Sequence, residues 1–206
     1  SLGVPSIINS YVHKVIRKAG IWEVQVGSFS YFSRRIVLTM PIKQVSSLLG
    51  KSFLNNYILP KSNYEEFFTA TFLANRAYSK NIFDSSKSFS WICNNKLKGL
   101  FNEKNIYTVN FSSEISFDYK ELDYESRLNA MEKILNRNGF DGIKNLAIHY
   151  WKHAFAIKQN HTSHVFDKDT QIGICGDSFS IGQVDGAIIS SNKVYQKLLS
   201  SNSLEG

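Results

Sequence analysis

The sequence lacks the features that mark several classes of protein. It has no run of 18 apolar residues and no signal peptide, so we expect no membrane span, a soluble protein and a cytoplasmic location. Its two cysteines, Cys93 and Cys175, lie far apart without CxxC spacing, which argues against a disulfide framework and favours buried free thiols. With only three prolines and no low-complexity segment, a long disordered linker is not expected.

Positive charge is present but is not concentrated in one stretch. The formal net charge of +7 permits binding to anions. The lysines are spread along the chain and no nucleic-acid-binding motif accompanies them, so we expect no nucleic-acid partner. The charge either complements a phosphate-bearing cofactor or keeps the protein in solution.

Four histidines raise the question of a metal site. No acidic or thiol partner stands at a suitable ligand spacing from them, so we interpret them as ordinary strand and loop residues and predict no metal. They are His149, His153, His161 and His164.

The apolar content, 43% of the residues, is enough for a packed core and indicates one domain, or one and a half. Alternating apolar residues predict a hairpin around Gly20, with strands over 12–17 and 21–26, and a returning strand over 29–39. Asp123 is a suitable N-cap for a helix that reaches Asn138 and stops at Gly139, with Leu128, Met131, Ile134 and Leu135 on one face.

Further elements are predicted in the middle of the chain. Residues 67–78 fit a helix or a strand, because their periodicity does not decide between the two. A short helix is predicted over Gly3–Tyr11. Additional strands are predicted over 88–93, 106–111 and 148–154.

Near the end of the chain, a short strand delivers Gly176-Asp177, a loop follows, and Val184-Asp185-Gly186-Ala187 opens an apolar helix. Bare backbone at a positive helix end can approach an anionic or carbonyl-rich ligand. A corner whose glycines merely allow tight packing explains the same residues equally well.

This stretch, GICGDSFSIGQVDGAIISS, resembles the C-terminal flavin-contacting segment of the renalase-like branch of the flavin-containing amine oxidase superfamily. The resemblance implies that Gly176 and Asp177 reach the ribityl and pyrophosphate groups of FAD. It also implies that Gln183, Val184, Asp185, Gly186 and Ala187 form a backbone cradle at the pyrimidine edge of the flavin.

Two other segments are similar to the same family. RRIVLTMPIKQVSSLL resembles a strand and helix beside the cofactor, which would place Thr39 and Pro41 on the active-site wall. Trp151 and Lys152 resemble a segment that reaches the active site. The resemblance also favours a strand from about Thr69 onward. On its own chemistry, Trp151 fits a core position and Lys152 a solvated one.

The resemblance implies an α+β fold: a mainly antiparallel or mixed substrate-domain sheet with packing helices over 3–170, then a flavin-contacting strand-loop-helix over 171–204. It also implies an FAD-dependent oxidoreductase that oxidises an amine or a dihydronicotinamide-type small molecule by hydride transfer. No side chain is assigned as a catalytic base.

The twelve glycines, however, nowhere form the GxGxxG phosphate loop with which family members begin. Ser1-Leu2 and Glu205-Gly206 resemble residues left by an expression vector. We therefore expect either a truncated piece of a flavoprotein or a cofactor-free relative that acts as a binding module. In the first case, the surface left by the missing segment would promote self-association.

Overall fold

The structure is a computed structural model, and it describes residues 7, 9–57, 59, 63–75, 88–99, 105–157, 162–179 and 183–202. The chain divides into two compact units. The first unit combines Ser1–Asn63 with Phe155–Gly206, and the second is Tyr64–Ala154. The domain boundary predicted at residue 171 stays a prediction.

Runs of three or four strands are separated by helices along the chain. In chain order they are β1 (Val12–Lys18), β2 (Ile21–Val26), β3 (Phe29–Ser33), β4 (Ile36–Leu38), α1 (Ile42–Leu49), α2 (Lys51–Leu54), β5 (Asn63–Leu73), β6 (Phe89–Asn94), β7 (Ile106–Phe111), α3 (Ser113–Tyr119), α4 (Tyr124–Arg137), β8 (Lys144–Ile157), β9 (Val165–Asp167), β10 (Ile172–Ile174) and α5 (Gln183–Asn202).

The first unit contains an antiparallel meander of β1, β2 and β3. Ala19 and Gly20 link β1 to β2 with φ values of 47° and 81°, as a type I′ hairpin turn requires. The predicted hairpin around Gly20 is therefore confirmed.

A second sheet in the first unit is mixed. The central strand β10 pairs in parallel with β4 and antiparallel with β9. The prediction of one strand over 29–39 is wrong in part, because the strand pairing breaks at Arg34-Arg35 and β4 then joins this different sheet. Pro41 directly precedes α1, with φ −50° and ψ 140°, and its missing N–H costs nothing at a helix start.

The core of the first unit lies between these sheets and helices. Trp22 and Ile172 are fully buried there, and Trp22 Nε1 donates a hydrogen bond of 2.8 Å to the carbonyl oxygen of Thr170. The other buried members are Val15, Leu38, Ile42, Val45, Leu54, Val165, Ile174 and Phe179.

The second unit is built on a four-stranded sheet in the order β6-β7-β5-β8. The strand β7 is antiparallel to both of its neighbours. The structure decides the open question at residues 67–78 in favour of a strand through Leu73; residues 76–78 lie outside the described residues.

Helix α4 belongs to the second unit and follows its prediction closely. Asp123 caps it by accepting a hydrogen bond of 2.9 Å from the backbone N–H of Ser126. Met131, Ile134 and Leu135 are buried in the core with Phe68, Phe72, Tyr107, Val109, Phe111 and Phe140. The predicted helix and its apolar face are confirmed.

The α+β prediction is confirmed, with mostly antiparallel sheets and one mixed sheet. Both cysteines are buried free thiols. The helix predicted over Gly3–Tyr11 falls mainly outside the described residues. Among the helices that the structure describes, none is long and apolar enough to cross a membrane.

Candidate functional site

Two strand ends converge in the first unit. In the parallel pair, Leu38 of β4 lies opposite Ile174 of β10, and the backbone N–H of Cys175 donates a 3.1 Å hydrogen bond to the carbonyl oxygen of Leu38. The strands β4 and β10 therefore end at the same edge of the sheet, which brings Thr39 close to Gly176. We use the name C-terminal corner for Thr39, Pro41, Gly176, Asp177 and residues 183–187.

Gly176 is half-buried at this edge, and its carbonyl oxygen accepts a 3.3 Å hydrogen bond from the backbone N–H of Phe179. Its φ of +152° is rare for residues with a side chain, and a Cβ built there would meet only the carbonyl oxygen of Thr39, at 3.6 Å. The backbone N–H of Gly176 donates a 3.2 Å hydrogen bond to Ser190 Oγ on α5. This contact ties the end of β10 to the last helix.

Helix α5 packs closely on β10 because the contacting residues are small. Gly186, Ser190 and Val194 recur every four residues and are all buried. A Cβ added at Gly173 would lie 2.5 Å from Val194 Cγ1, which is too close for a real contact. The glycine at position 173 is thus required by the approach of the helix.

The first turn of α5 is open on its other side. Val184 is 73% exposed, Asp185 is exposed and Ala187 is half-buried. Since the first four N–H groups of a helix have no partner within it, this turn presents donors and the positive end of the helix dipole. The Gln183 side chain lies outside the described residues.

The carboxylate of Asp177 is half-buried and already engaged with the chain. One oxygen accepts from the backbone N–H of Ala156 at 3.4 Å, and the other accepts from Ser178 Oγ at 3.3 Å. Both contacts are long, and a carboxylate has about four acceptor sites. Asp177 therefore keeps acceptor capacity for a hydroxyl group of a ligand.

The sheet of the second unit has a polar face opposite its core. Thr69 Oγ1 donates a 2.8 Å hydrogen bond to Asn110 Oδ1, Thr71 lies opposite Thr108, and Trp91 lies opposite Asn110. We call these five residues the polar sheet face. Their alternate neighbours on the same strands point into the core, as the period of two requires.

Trp151 and Lys152 lie on β8 in the same unit. Trp151 is 49% exposed and its ring contacts that of His149 edge-on, with 4.4 Å between centroids. Because Ile148 and Tyr150 pack against the core, alternation places Trp151 on the opposite side of the strand. Lys152 is exposed.

Two tyrosine-carboxylate pairs were not foreseen from the sequence. Tyr57 Oη donates to Asp167 in the first unit, and Tyr150 Oη donates to Glu66 in the second. Burial and the neighbouring Glu66 carboxylate raise the pKa of Tyr150 to about 12. The partners are separated by 110 and 84 positions, so no local pattern could have indicated them.

Burial also raises the pKa of the Tyr57 hydroxyl, and its bond to Asp167 adds to that effect. For Asp167, burial acts to raise the pKa, but hydrogen bonds from Tyr57 and from the backbone of Thr170 and Asp169 outweigh it and the pKa is lowered. This cluster holds the turn between β9 and β10 in place. Within the described part of the chain, no group of three or more potential metal ligands occurs.

The sequence and the fold were each compared with known proteins. No protein-family model matches the sequence, and no curated protein sequence matches it. Solved structures that share its fold include the following three. The fatty acid isomerase from P. acnes that produces CLA has a TM-score of 0.64 at 12% identity, over 95% of this chain and 49% of that one.

The cyclohexylamine oxidase from Brevibacterium oxydans IH-35A gives a TM-score of 0.56 at 12% identity, over 95% of this chain and 49% of that chain. A putrescine oxidase double mutant, redesigned in its cofactor binding, gives 0.61 at 12% identity, over 91% and 48%. The chain thus shares its fold with these three proteins, and it spans about half the length of each of them. Identity this low establishes the fold and leaves function to the site.

Proposed function

We propose that this chain supplies the substrate domain and the flavin-contacting corner of an FAD-dependent oxidoreductase in the renalase-like branch of the amine oxidase superfamily. Its substrate would be an amine or a dihydronicotinamide-type small molecule. The observation that carries the proposal is the C-terminal corner: two parallel strands end beside the open first turn of a helix that is fixed to one of them.

The residues of the corner are compatible with FAD. The absence of a side chain at Gly176 and the exposed side of residues 184 and 185 leave room for a planar group. Asp177 would accept hydrogen bonds from the ribityl hydroxyls with its remaining lone pairs. Thr39 and Pro41, at the neighbouring strand end, would border the same space.

When bound, the flavin would supply the redox chemistry by accepting a hydride from a carbon of the substrate. The contribution of this chain would be electrostatic and geometric. The N–H groups of the first turn of α5 would stabilise negative charge at the pyrimidine edge, since the helix end carries partial positive charge. For Trp151 and Lys152, which belong to the second unit, a role beside the flavin is proposed from the resemblance alone.

The polar sheet face is our candidate for substrate contact. Its hydroxyl and amide groups can donate and accept, and Trp91 supplies a flat apolar surface. The Nζ atom of Lys98 already lies 4.8 Å from the ring centroid of Trp91, so this ring tolerates a cationic group above it.

The test is titration of the chain with FAD, followed by the visible spectrum and by quenching of flavin fluorescence. Val184→Glu places a negative charge at an exposed position of the first turn, and Val184→Gln is the matched neutral control. We expect Glu to weaken FAD binding roughly tenfold, because its carboxylate would neutralise the positive end of the helix dipole and repel the carbonyl oxygens at the pyrimidine edge of the flavin. Gln should change it little.

Equal affinities for Val184→Glu and Val184→Gln would contradict the assignment of the corner. The unsubstituted chain could also leave the FAD spectrum unchanged. In that case, the nucleotide sequence upstream of the coding region should be searched for an in-frame GxGxxG segment. Its presence indicates a piece of a flavoenzyme, and its absence indicates a cofactor-free relative. The same titration is then repeated on the longer protein.

The second candidate function is a cofactor-free binding module. It is favoured by the apolar side chains exposed on α5, among them Ile188, Tyr195 and Leu199. Exposed apolar surface of this kind marks interaction sites on soluble domains. A chain that leaves FAD unchanged but associates through these residues would support this second function.

A further inference from the structure

A cavity lies at the end of the parallel strands β4 and β10 that is opposite to the C-terminal corner. It has a volume of about 510 Å³ and is lined by Ala19–Ile21, Ser33–Arg35 and Gln171. All of these residues belong to the first unit. We call it the basic cavity.

Two adjacent arginines, Arg34 and Arg35, give this cavity its charge. No acidic residue lines it, and among the described residues no carboxylate lies within ion-pair distance of either guanidinium. Arginine presents a planar fork of N–H donors that matches the oxygen atoms of a carboxylate or phosphate. The two guanidinium groups, without a carboxylate partner, give this cavity a net positive charge.

The backbone that carries the arginines is fixed on both sides. Ser33 Oγ donates a 2.6 Å hydrogen bond to the carbonyl oxygen of Arg35 and accepts one of 3.2 Å from its N–H. The N–H of Ile36 donates to the carbonyl oxygen of Gln171 at 3.2 Å. The link between β3 and β4 is thereby held against the start of β10, which limits the ordering cost of binding.

The basic cavity is separate from the C-terminal corner. Arg35 precedes β4 and Gln171 precedes β10, whereas Thr39 and Gly176 follow these strands. At about 3.3 Å per residue, the two ends lie roughly 10–15 Å apart. None of the residues of the corner lines the cavity.

We propose that the basic cavity binds the phosphoryl group of a soluble phosphomonoester. Two guanidinium groups match the nearly double negative charge of such a group and can donate to several of its oxygens at once. The cavity extends beyond what the phosphoryl group fills, and Ala19 and Ile21 offer an apolar wall for the carbon skeleton. The site is independent of the proposed flavin chemistry.

Isothermal titration with inorganic phosphate and with glycerol 3-phosphate tests this, at constant ionic strength set with chloride. We expect saturable binding with one site per chain and tighter binding of the ester. Arg34→Gln and Arg35→Gln should each weaken it roughly tenfold or more, because each removes charge-assisted hydrogen bonds.

Arg137→Gln is the matched control, since Arg137 is an exposed arginine in the last turn of α4 and belongs to the other unit. It should bind as the unsubstituted chain does, and so should Val184→Glu. If Arg137→Gln weakens phosphate binding as much as the other two variants, or if chloride produces the same titration signal, the proposal is overturned. Either result would show general charge screening and no specific site. Binding only to phosphatidic acid in phosphatidylcholine vesicles, without binding of the soluble esters, would overturn the assignment to a soluble ligand.

Discussion

At the scale of single residues, the least exchangeable side chains are those that join distant parts of the chain. The Asp167 carboxylate accepts from the Tyr57 hydroxyl and from the backbone N–H groups of Asp169 and Thr170, at 2.8 and 3.1 Å for the last two. Trp22 donates to the carbonyl of the same Thr170. The turn before β10 is therefore fixed by hydrogen bonds from the side chains of Tyr57 and Trp22 and by hydrogen bonds within the turn. The strand β10 ends two residues before Gly176.

Asp167→Asn should lower the free energy of unfolding by about 1–3 kcal/mol at pH 7, since it weakens hydrogen bonds to an ionised acceptor. The folded-state pKa of Asp167 is lowered, so its contribution is complete above the unfolded-state pKa and is lost as the pH falls through the folded-state pKa. The difference between the two proteins should therefore shrink below about pH 4. Urea unfolding at pH 7, 5 and 3 measures it.

Asp169→Asn is the control for this prediction, because Asp169 is an exposed carboxylate on the same turn. Its stability should stay within about 0.5 kcal/mol of the unsubstituted chain. A constant deficit of Asp167→Asn across the three pH values would show that ionisation of Asp167 does not contribute.

At the scale of elements, the packing of α5 on β10 positions the C-terminal corner. Gly173→Ala should destabilise the protein by about 1–3 kcal/mol, because the new Cβ would lie 2.5 Å from Val194 Cγ1. Val194→Ala removes that methyl group and by itself leaves a small cavity.

If the clash is the cause, the double variant Gly173→Ala/Val194→Ala should be less destabilised than the sum of the two single variants, by roughly 0.5–3 kcal/mol. Chemical denaturation of the four proteins gives this coupling. Simple additivity would mean that the contact between the new Cβ and Val194 is not the cause of the destabilisation.

At the scale of the whole molecule, the exposed apolar face of α5 bears on the oligomeric state of the chain in solution. Val184, Ile188, Tyr195 and Leu199 fall within one narrow arc of the helix, opposite the buried Gly186, Ser190 and Val194. An isolated exposed residue needs no explanation, but several exposed apolar residues on one side of a helix indicate a contact surface.

We predict that the chain self-associates through this apolar face and that Ile188→Glu shifts it towards the monomer. The physical reason is that a charge in a buried apolar contact must be desolvated. Gln196→Glu adds the same charge at an exposed position outside this face and should leave the association unchanged. Light scattering over a range of concentrations measures both, and a monomeric unsubstituted chain would contradict the prediction.

The local elements could be predicted from the sequence because their signals are local. Helix α4 has its cap at Asp123, its apolar residues at helical spacing and its stop at Gly139 within one short segment, and all are found where predicted. The hairpin around Gly20 is of the same kind. Thr39 and Gly176 were singled out by resemblance, and their adjacency rests on strand pairing between segments more than 100 residues apart.

What only the tertiary structure decided is therefore non-local. The conformation of residues 67–73 depended on the strands available on either side, because their periodicity fits helix and strand alike. The break at Arg34-Arg35 depended on β4 joining a different sheet from β3. By itself, the sequence determined the turns, caps and apolar faces; the sheet partners, and with them the two candidate sites at opposite ends of β4 and β10, follow from contacts that local patterns do not encode.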